Sequence, residues 1–306
     1  MTQHLTLAYC TSRKDPKFDW FLDSLKRECA GDYSNLKLVV VDLLCNPAER
    51  FPFGIGECKL DVVNTSPKPN VWQGKYRLTK ENWFAAANAR NTALCLAPDG
   101  FIAYVDDLSV LLPGWLDRVK AAMAGNYVVC GTYRKVKDLV VENGEVKSFT
   151  EYPGGMDSRW RFASSDLHPC EGGWLFGCSC AMPVEALLTI GGWTEMADGL
   201  GSEDYLTGLT MQNAGYKFFY DKKMMTYESE ELHFVETPMK KTDKGKSPDD
   251  KSHRALNIVL SGQSFFDNYY EGGMRALRAK VLAGEPFPTS VSPLHDWYDS
   301  QPISEM

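Results

Sequence analysis

The stretch Phe101-Ile102-Ala103-Tyr104-Val105-Asp106-Asp107-Leu108 carries an apolar run straight into two adjacent carboxylates. A run of this length suits a buried strand. Two acids at its end lose water and repel each other, which costs free energy unless a cation or a network of donors compensates. Oxygen ligands of this kind favour Mg2+ or Mn2+ as the compensator. The same pair also suits a turn or a helix N-cap.

Working outward, similar apolar runs occupy residues 5–9, 36–41, 60–63 and 127–130. Between them, residues 18–29, 80–96 and 115–123 place apolar side chains at three- and four-residue spacing, the period of a helix. Alternating strands and helices predict an α/β fold, a mostly parallel sheet covered on both faces. Ligands of such sheets sit beyond the carboxyl ends of the strands. There the chain carries Thr11-Ser12-Arg13-Lys14-Asp15, Asp42 and Asp106-Asp107, so polar groups gather on one rim.

Further along, Asn143-Gly144 marks a turn between two short strands within residues 139–146, and residues 152–193 are rich in Gly and Trp. From about residue 220 the chain is charged and loop-like, with Lys240, Lys241, Lys244, Lys246, Lys251 and Arg254 crowding one basic segment. Helical periodicity resumes over 255–282 and ends in a tail with Pro286, Pro288, Pro293 and Pro302. The expected organisation is a domain over 1–235 followed by an appendage over 236–306.

Composition bounds the function. With 306 residues, 44% apolar and 24% charged, the chain is an ordinary globular protein, which excludes disorder, collagen and coiled coil. The net charge of −7 argues against a surface devoted to wrapping nucleic acid. No apolar run approaches the roughly 20 residues of a membrane span, and Met1 to His4 lack the features of a secretory signal. Nine scattered cysteines, several inside apolar runs (Cys10, Cys95, Cys130), read as reduced core thiols. His168, Cys170, Cys178 and Cys180 fit no usual zinc spacing. A soluble, cytoplasmic protein is expected.

A second constellation follows: Gly191-Gly192-Trp193-Thr194-Glu195, then Gly199-Leu200-Gly201-Ser202-Glu203-Asp204-Tyr205-Leu206. Glu203-Asp204 opens an amphipathic helix, where the helix dipole favours carboxylates.

Taken together, Asn88-Ala89-Arg90-Asn91, Val105-Asp106-Asp107-Leu108, Pro113-Gly114-Trp115-Leu116, Gly-Gly-Trp-Thr-Glu and Gly-Ser-Glu-Asp-Tyr-Leu resemble, in that order, the nucleotide-sugar glycosyltransferases of GT-A fold. The large inverting family numbered two is the nearest match, over residues 5–235. The resemblance implies a hexosyltransferase-type enzyme that moves a sugar from a nucleoside-diphosphate sugar, commonly of uridine or deoxythymidine, to an acceptor hydroxyl. By position, Asp204 matches the general base, with Glu203 beside it. Thr11, Ser12, Arg13, Asp42, Arg90 and Asp106 match donor contacts. Asp107 matches the ligand of a Mn2+ or Mg2+ ion, and His233 a histidine that completes its coordination. Leu108 stands where many relatives carry a further Asp.

Trp174 and Trp193, with Phe176 and Gly177, fall in the acceptor region of these relatives, where aromatic faces suit the C–H faces of sugars. The basic segment could fold over the diphosphate and deliver Lys246, Lys251 or Arg254. It also keeps DNA open as an acceptor, beside glycans and metabolites, a base flipping into the cleft if the protein is phage-encoded and works in a host cytoplasm. Two other classes compete. A sugar-phosphate nucleotidyltransferase also places strand-end acids on a metal, but usually begins with a Gly-rich loop, and residues 8–14 contain no glycine. A catalytically silent nucleotide-sugar binding module is favoured by Val105 and Leu108.

Overall fold

The computed structural model of the chain describes residues 3–42, 60–68, 85–195, 202–234 and 273–288. The elements, in order, are β1 (His4–Thr11), α1 (Phe18–Cys29), β2 (Leu36–Asp42), β3 (Asp61–Thr65), α2 (Ala86–Leu96), β4 (Gly100–Asp106), β5 (Ser109–Leu111), α3 (Trp115–Gly125), β6 (Val128–Glu142) and β7 (Glu145–Met156). There follow β8 (Leu167–Cys170), β9 (Ser179–Pro183), α4 (Val184–Thr189), α5 (Glu203–Asn213), β10 (Phe218–Ser229), α6 (Glu230–Phe234) and α7 (Gly273–Leu282).

The sheet is open and runs β3-β2-β1-β4-β9-β6-β10-β5, with β7 added to β6 and β8 to β10. Its first four strands are parallel, β9 runs antiparallel between β4 and β6, and β6 and β10 are again parallel. The α/β class expected from the sequence is therefore observed.

Alternation of side chains along the strands gives each face its own core. Leu7, Tyr9, Leu38, Val40, Phe101 and Val105 pack with Phe21 and Leu25 of α1 and with Trp115 and Val119 of α3. Ala8, Cys10, Val39, Val41, Ile102 and Tyr104 face the other way, onto Ala89, Ala93 and Leu94 of α2. Helix α2 lies between the sheet and α7, so even its polar Asn88, Arg90, Asn91 and Thr92 are buried. Small alanines let three layers approach there. On α7, Arg278 donates to the Ala97 carbonyl and pairs with Asp99.

Two expectations change. The strands around Asn143-Gly144 are long, not short: β6 leaves the central sheet and continues as one side of a hairpin whose tip folds back on α1. There Arg27 donates to the carbonyls of Gly144 and Leu111. Exposed, mixed-charge residues in the outer half hide the strand period. Helix α2 begins at Ala86, with 80–84 outside the described residues, and of the appendage only 273–288 is described. Among the described residues, no helix is long and apolar enough to cross a membrane.

Candidate active site

Register fixes the rim. Thr11 pairs with Asp42 across β1 and β2, and Cys10 with Asp106 across β1 and β4, so three polar strand ends stand side by side. Asp42 and Thr11 are fully buried, and Ser12 and Arg13 nearly so.

The acid pair splits. The side chain of Asp106 is 44% exposed and meets Arg90 Nη2 at 3.4 Å. Asp107 turns toward β1 instead: Thr11 Oγ1 donates to its Oδ2 at 2.7 Å and Arg13 Nε to its Oδ1 at 3.0 Å. Burial pushes the Asp107 carboxyl up to about 6 against the pull of Arg13 and Thr11. Leu108 takes a left-handed backbone (φ 62), buries its side chain and donates its N–H to the Pro16 carbonyl. The residue aligned with a further Asp in many relatives is thus a core residue here.

Arg13 reaches further than expected. Its Nη1 donates at 3.1 Å to the carbonyls of Leu232 and of His233, at the end of α6. Carbonyls at a helix C-terminus lack partners within the helix, so a guanidinium satisfies them well. Partial burial, with Lys135 and Arg13 nearby, holds the His233 imidazole below its usual range.

The second acid pair opens α5. Gly172 and Gly208 press backbone on backbone, and a β-carbon on either would collide with the other's carbonyl. This contact seats α5 on the segment that runs to Gly177. The Gly177 N–H donates to Asp204 Oδ2 at 3.3 Å, and the Tyr205 N–H to Asp204 Oδ1 at 2.8 Å. Glu203 accepts from Arg90 Nη1 at 2.9 Å.

Arg90 is therefore the junction of the two pairs. It is buried, lies 4.8 Å from the Trp193 ring, and passes Gly177 where a β-carbon would strike it. Burial alone would lower its pKa, but the charges of Asp106, Glu203 and Asp204 together hold it above its ordinary value.

The structure thus brings Thr11, Arg13, Asp107 and the His233 carbonyl into one hydrogen-bonded set and Asp106, Arg90 and Glu203 into another, with Asp204 acting on Arg90 by its charge, and the adjacent Asp106 and Asp107 join the two along the chain. Trp193 departs from the expected acceptor platform: it is 1% exposed, set edge-on to Tyr104 beneath Arg90, with no open face to offer. Its neighbour Glu195 is fully buried, 2.5 Å from Lys68, and Asn91 holds the Trp193 backbone. Trp174 is half-buried against Tyr220 and His168. Arg254 and the basic segment lie outside the described residues.

Two further residues belong to the site: Tyr205, which the sequence places in the motif as part of an amphipathic helix, and Glu228, which nothing in the sequence singles out. Tyr205 is 46% exposed directly after Asp204. Glu228 of β10 is 7% exposed, and its Oε1 accepts no hydrogen bond among the described residues. Burial, with Asp106 and Asp107 nearby, pushes its carboxyl up to about 8. Nothing in the alternating pattern of β10 marks it as special.

Among the described residues, the acids Asp106, Asp107, Glu203 and Asp204 meet two guanidiniums, those of Arg13 and Arg90, and Asp106 and Asp107 lie near a buried acid with an unsatisfied oxygen. Such a site is short of positive charge and fits a hard divalent cation. Among the described residues no three ligating side chains converge on one point. Mg2+ and its like do not need such a cage, because they take one or two carboxylates and fill the remaining positions with phosphate oxygens and water.

No protein-family model matches the chain, and no curated protein matches it. Solved structures do. S. aureus TarS 1-349 in complex with UDP is similar with a TM-score of 0.56 and 12% identity, over 91% of this chain and 70% of that one. The same fragment in complex with UDP-GlcNAc gives a TM-score of 0.55 at 12% identity, over 91% and 71%. The structure of S. aureus TarS gives 0.54 at 11% identity, over 84% of this chain and 39% of that one. Likeness at this identity shows the fold, which is the GT-A fold expected from the sequence.

Proposed function

We propose that the chain transfers a sugar from a nucleoside-diphosphate sugar to an acceptor hydroxyl, with inversion at the anomeric carbon. One observation carries the reading: Arg90 joins Asp106 to Glu203, so a single guanidinium links the donor-side and base-side acids at the carboxyl rim of a GT-A sheet. UDP and UDP-GlcNAc, which accompany S. aureus TarS in its structures, make uridine the first nucleoside to test.

In this reading the loop after β1, with Asp42, forms the nucleoside side of the cleft, and the acid pair after β4 the diphosphate side. A divalent cation on that pair, when bound, supplies positive charge to the departing diphosphate. Arg90 adds a fixed cation and holds Glu203. Asp204 is then the carboxylate left to take the acceptor's proton, its orientation fixed by the Gly177 and Tyr205 N–H groups. Trp174 and the exposed ring of Tyr205 offer faces for a sugar-like acceptor.

The test is a melting-temperature screen over nucleoside diphosphates with Mn2+, since a ligand of the native state raises the melting point by mass action. UDP is expected to raise it. Asp204→Asn is expected to keep that shift while losing release of UDP from UDP-GlcNAc. A chain that responds to no nucleoside diphosphate overturns the reading.

A further inference from the structure

The two carboxylates after β4 are adjacent in sequence and opposite in circumstance. Both oxygens of Asp107 are taken, one by Thr11 and one by Arg13, and its side chain is 14% exposed. Asp106 has a single long contact, to Arg90, and an open side chain. A cation approaching Asp107 Oδ1 meets the Arg13 guanidinium already there, and displacing it also strips two carbonyls of α6 of their donor. Near Asp106, the buried Oε1 of Glu228 has no hydrogen-bond partner among the described residues, although Lys135 acts on that carboxyl from a distance.

We propose that the pair divides its work: Asp106 is the carboxylate that receives the divalent cation, while Asp107 is a positioning residue that clamps Arg13 and, through it, α6 and His233 to the rim. This rests on the nucleotide-sugar reading and deepens it. It reverses the assignment that the motif suggests, because position in the motif does not reveal which carboxylate is already occupied. The clamp also explains why Thr11 and Arg13 are buried: they complete Asp107 and do not face the cleft as free donor contacts.

The experiment measures Mn2+ directly, by loss of the free-ion electron paramagnetic resonance signal, in wild type, Asp106→Asn and Asp107→Asn with UDP present. Asp106→Asn is expected to weaken Mn2+ by about thirtyfold or more. Asp107→Asn is expected to weaken it less, by about tenfold at most, through charge acting at a distance. Amide exchange across residues 230–234 supplies the second readout. It is expected to quicken in Asp107→Asn and in Arg13→Lys, whose single ammonium cannot replace the forked guanidinium, and to stay unchanged in Asp106→Asn.

Loss of Mn2+ in Asp107→Asn with retention in Asp106→Asn overturns the proposal. So does wild-type protein that binds UDP without taking up Mn2+, or unchanged exchange in both clamp variants. Wild-type protein that binds no UDP, with or without Mn2+, removes the nucleotide-sugar reading too, so the two failures are distinct.

Discussion

Arg90 Nη1 stands 2.9 Å from Glu203 Oε1 across 113 positions of sequence, and its other terminal nitrogen reaches Asp106. Breaking one side of a buried ion pair leaves the other charge uncompensated, which is far costlier than losing a surface pair. Arg90→Ala is expected to lower the unfolding free energy by about 3 kcal/mol. Arg90→Lys, which keeps the charge but loses the flat contact with Trp193, should recover part of it. Urea unfolding of the two variants decides, and equal stability of Arg90→Ala and wild type contradicts the junction.

Gly208 tests the seat of α5. On an open helix, Gly→Ala gains about 1 kcal/mol from helix propensity. Here the new methyl group meets the Gly172 carbonyl, so the sign is expected to reverse, to a loss of about 1–3 kcal/mol as in overpacked cores. Displacing α5 also moves Asp204 away from the Gly177 N–H, so UDP release from UDP-GlcNAc should fall further than stability does. Thermal unfolding and turnover of the single variant check both.

Glu228 predicts a pH dependence. Its native carboxyl sits at about 8, whereas an unfolded Glu titrates near ~4.3. Between those values the native state holds a proton that the unfolded state has released, so stability falls as pH rises through that window and levels off above it. Glu228→Gln removes this titration. In EDTA the variant is expected to match wild type near pH 4.5 and to exceed it by about 5 kcal/mol above pH 8.5. A difference that does not change with pH refutes the assignment.

The thiols offer a simpler check. Burial pushes Cys10 and Cys95 up to about 12, so neither presents thiolate at neutral pH. Native protein treated with iodoacetamide at pH 8 is expected to leave both unlabelled by peptide mass spectrometry, and urea to expose both. Native labelling of either contradicts their place in the core.

What the sequence disclosed was local. Strands β1, β2 and β4 declared themselves by apolar runs ending in polar residues, α1 by its spacing, and α5 by the acids at its start. Those signals depend on a few consecutive side chains. The facts that escaped depend on partners far along the chain. Trp193 looks like a platform until Arg90 is laid over it, and Glu195 looks like a motif acid until Lys68 neutralises it. Asp106 and Asp107 look equivalent until Arg13 folds back from β1 onto one of them. The outer half of strand β6 carries no strict alternation: its buried Val136 and Leu139 stand three residues apart among charged neighbours, so its length does not show in the sequence.

The hairpin of β6 and β7 has a practical bearing on engineering. Its apex, Asn143-Gly144, has the chemistry of a free turn, the usual choice for splicing in an epitope or a fluorescent reporter. Yet Gly144 rests on the backbone of Ser24, and Arg27 ties it to Leu111, so a graft there would prise the ribbon from α1. Gly154, where the pairing register slips and nothing lies within 4 Å of an added β-carbon, is the more open place for a passenger sequence, provided the glycine itself is kept for its left-handed backbone (φ 80).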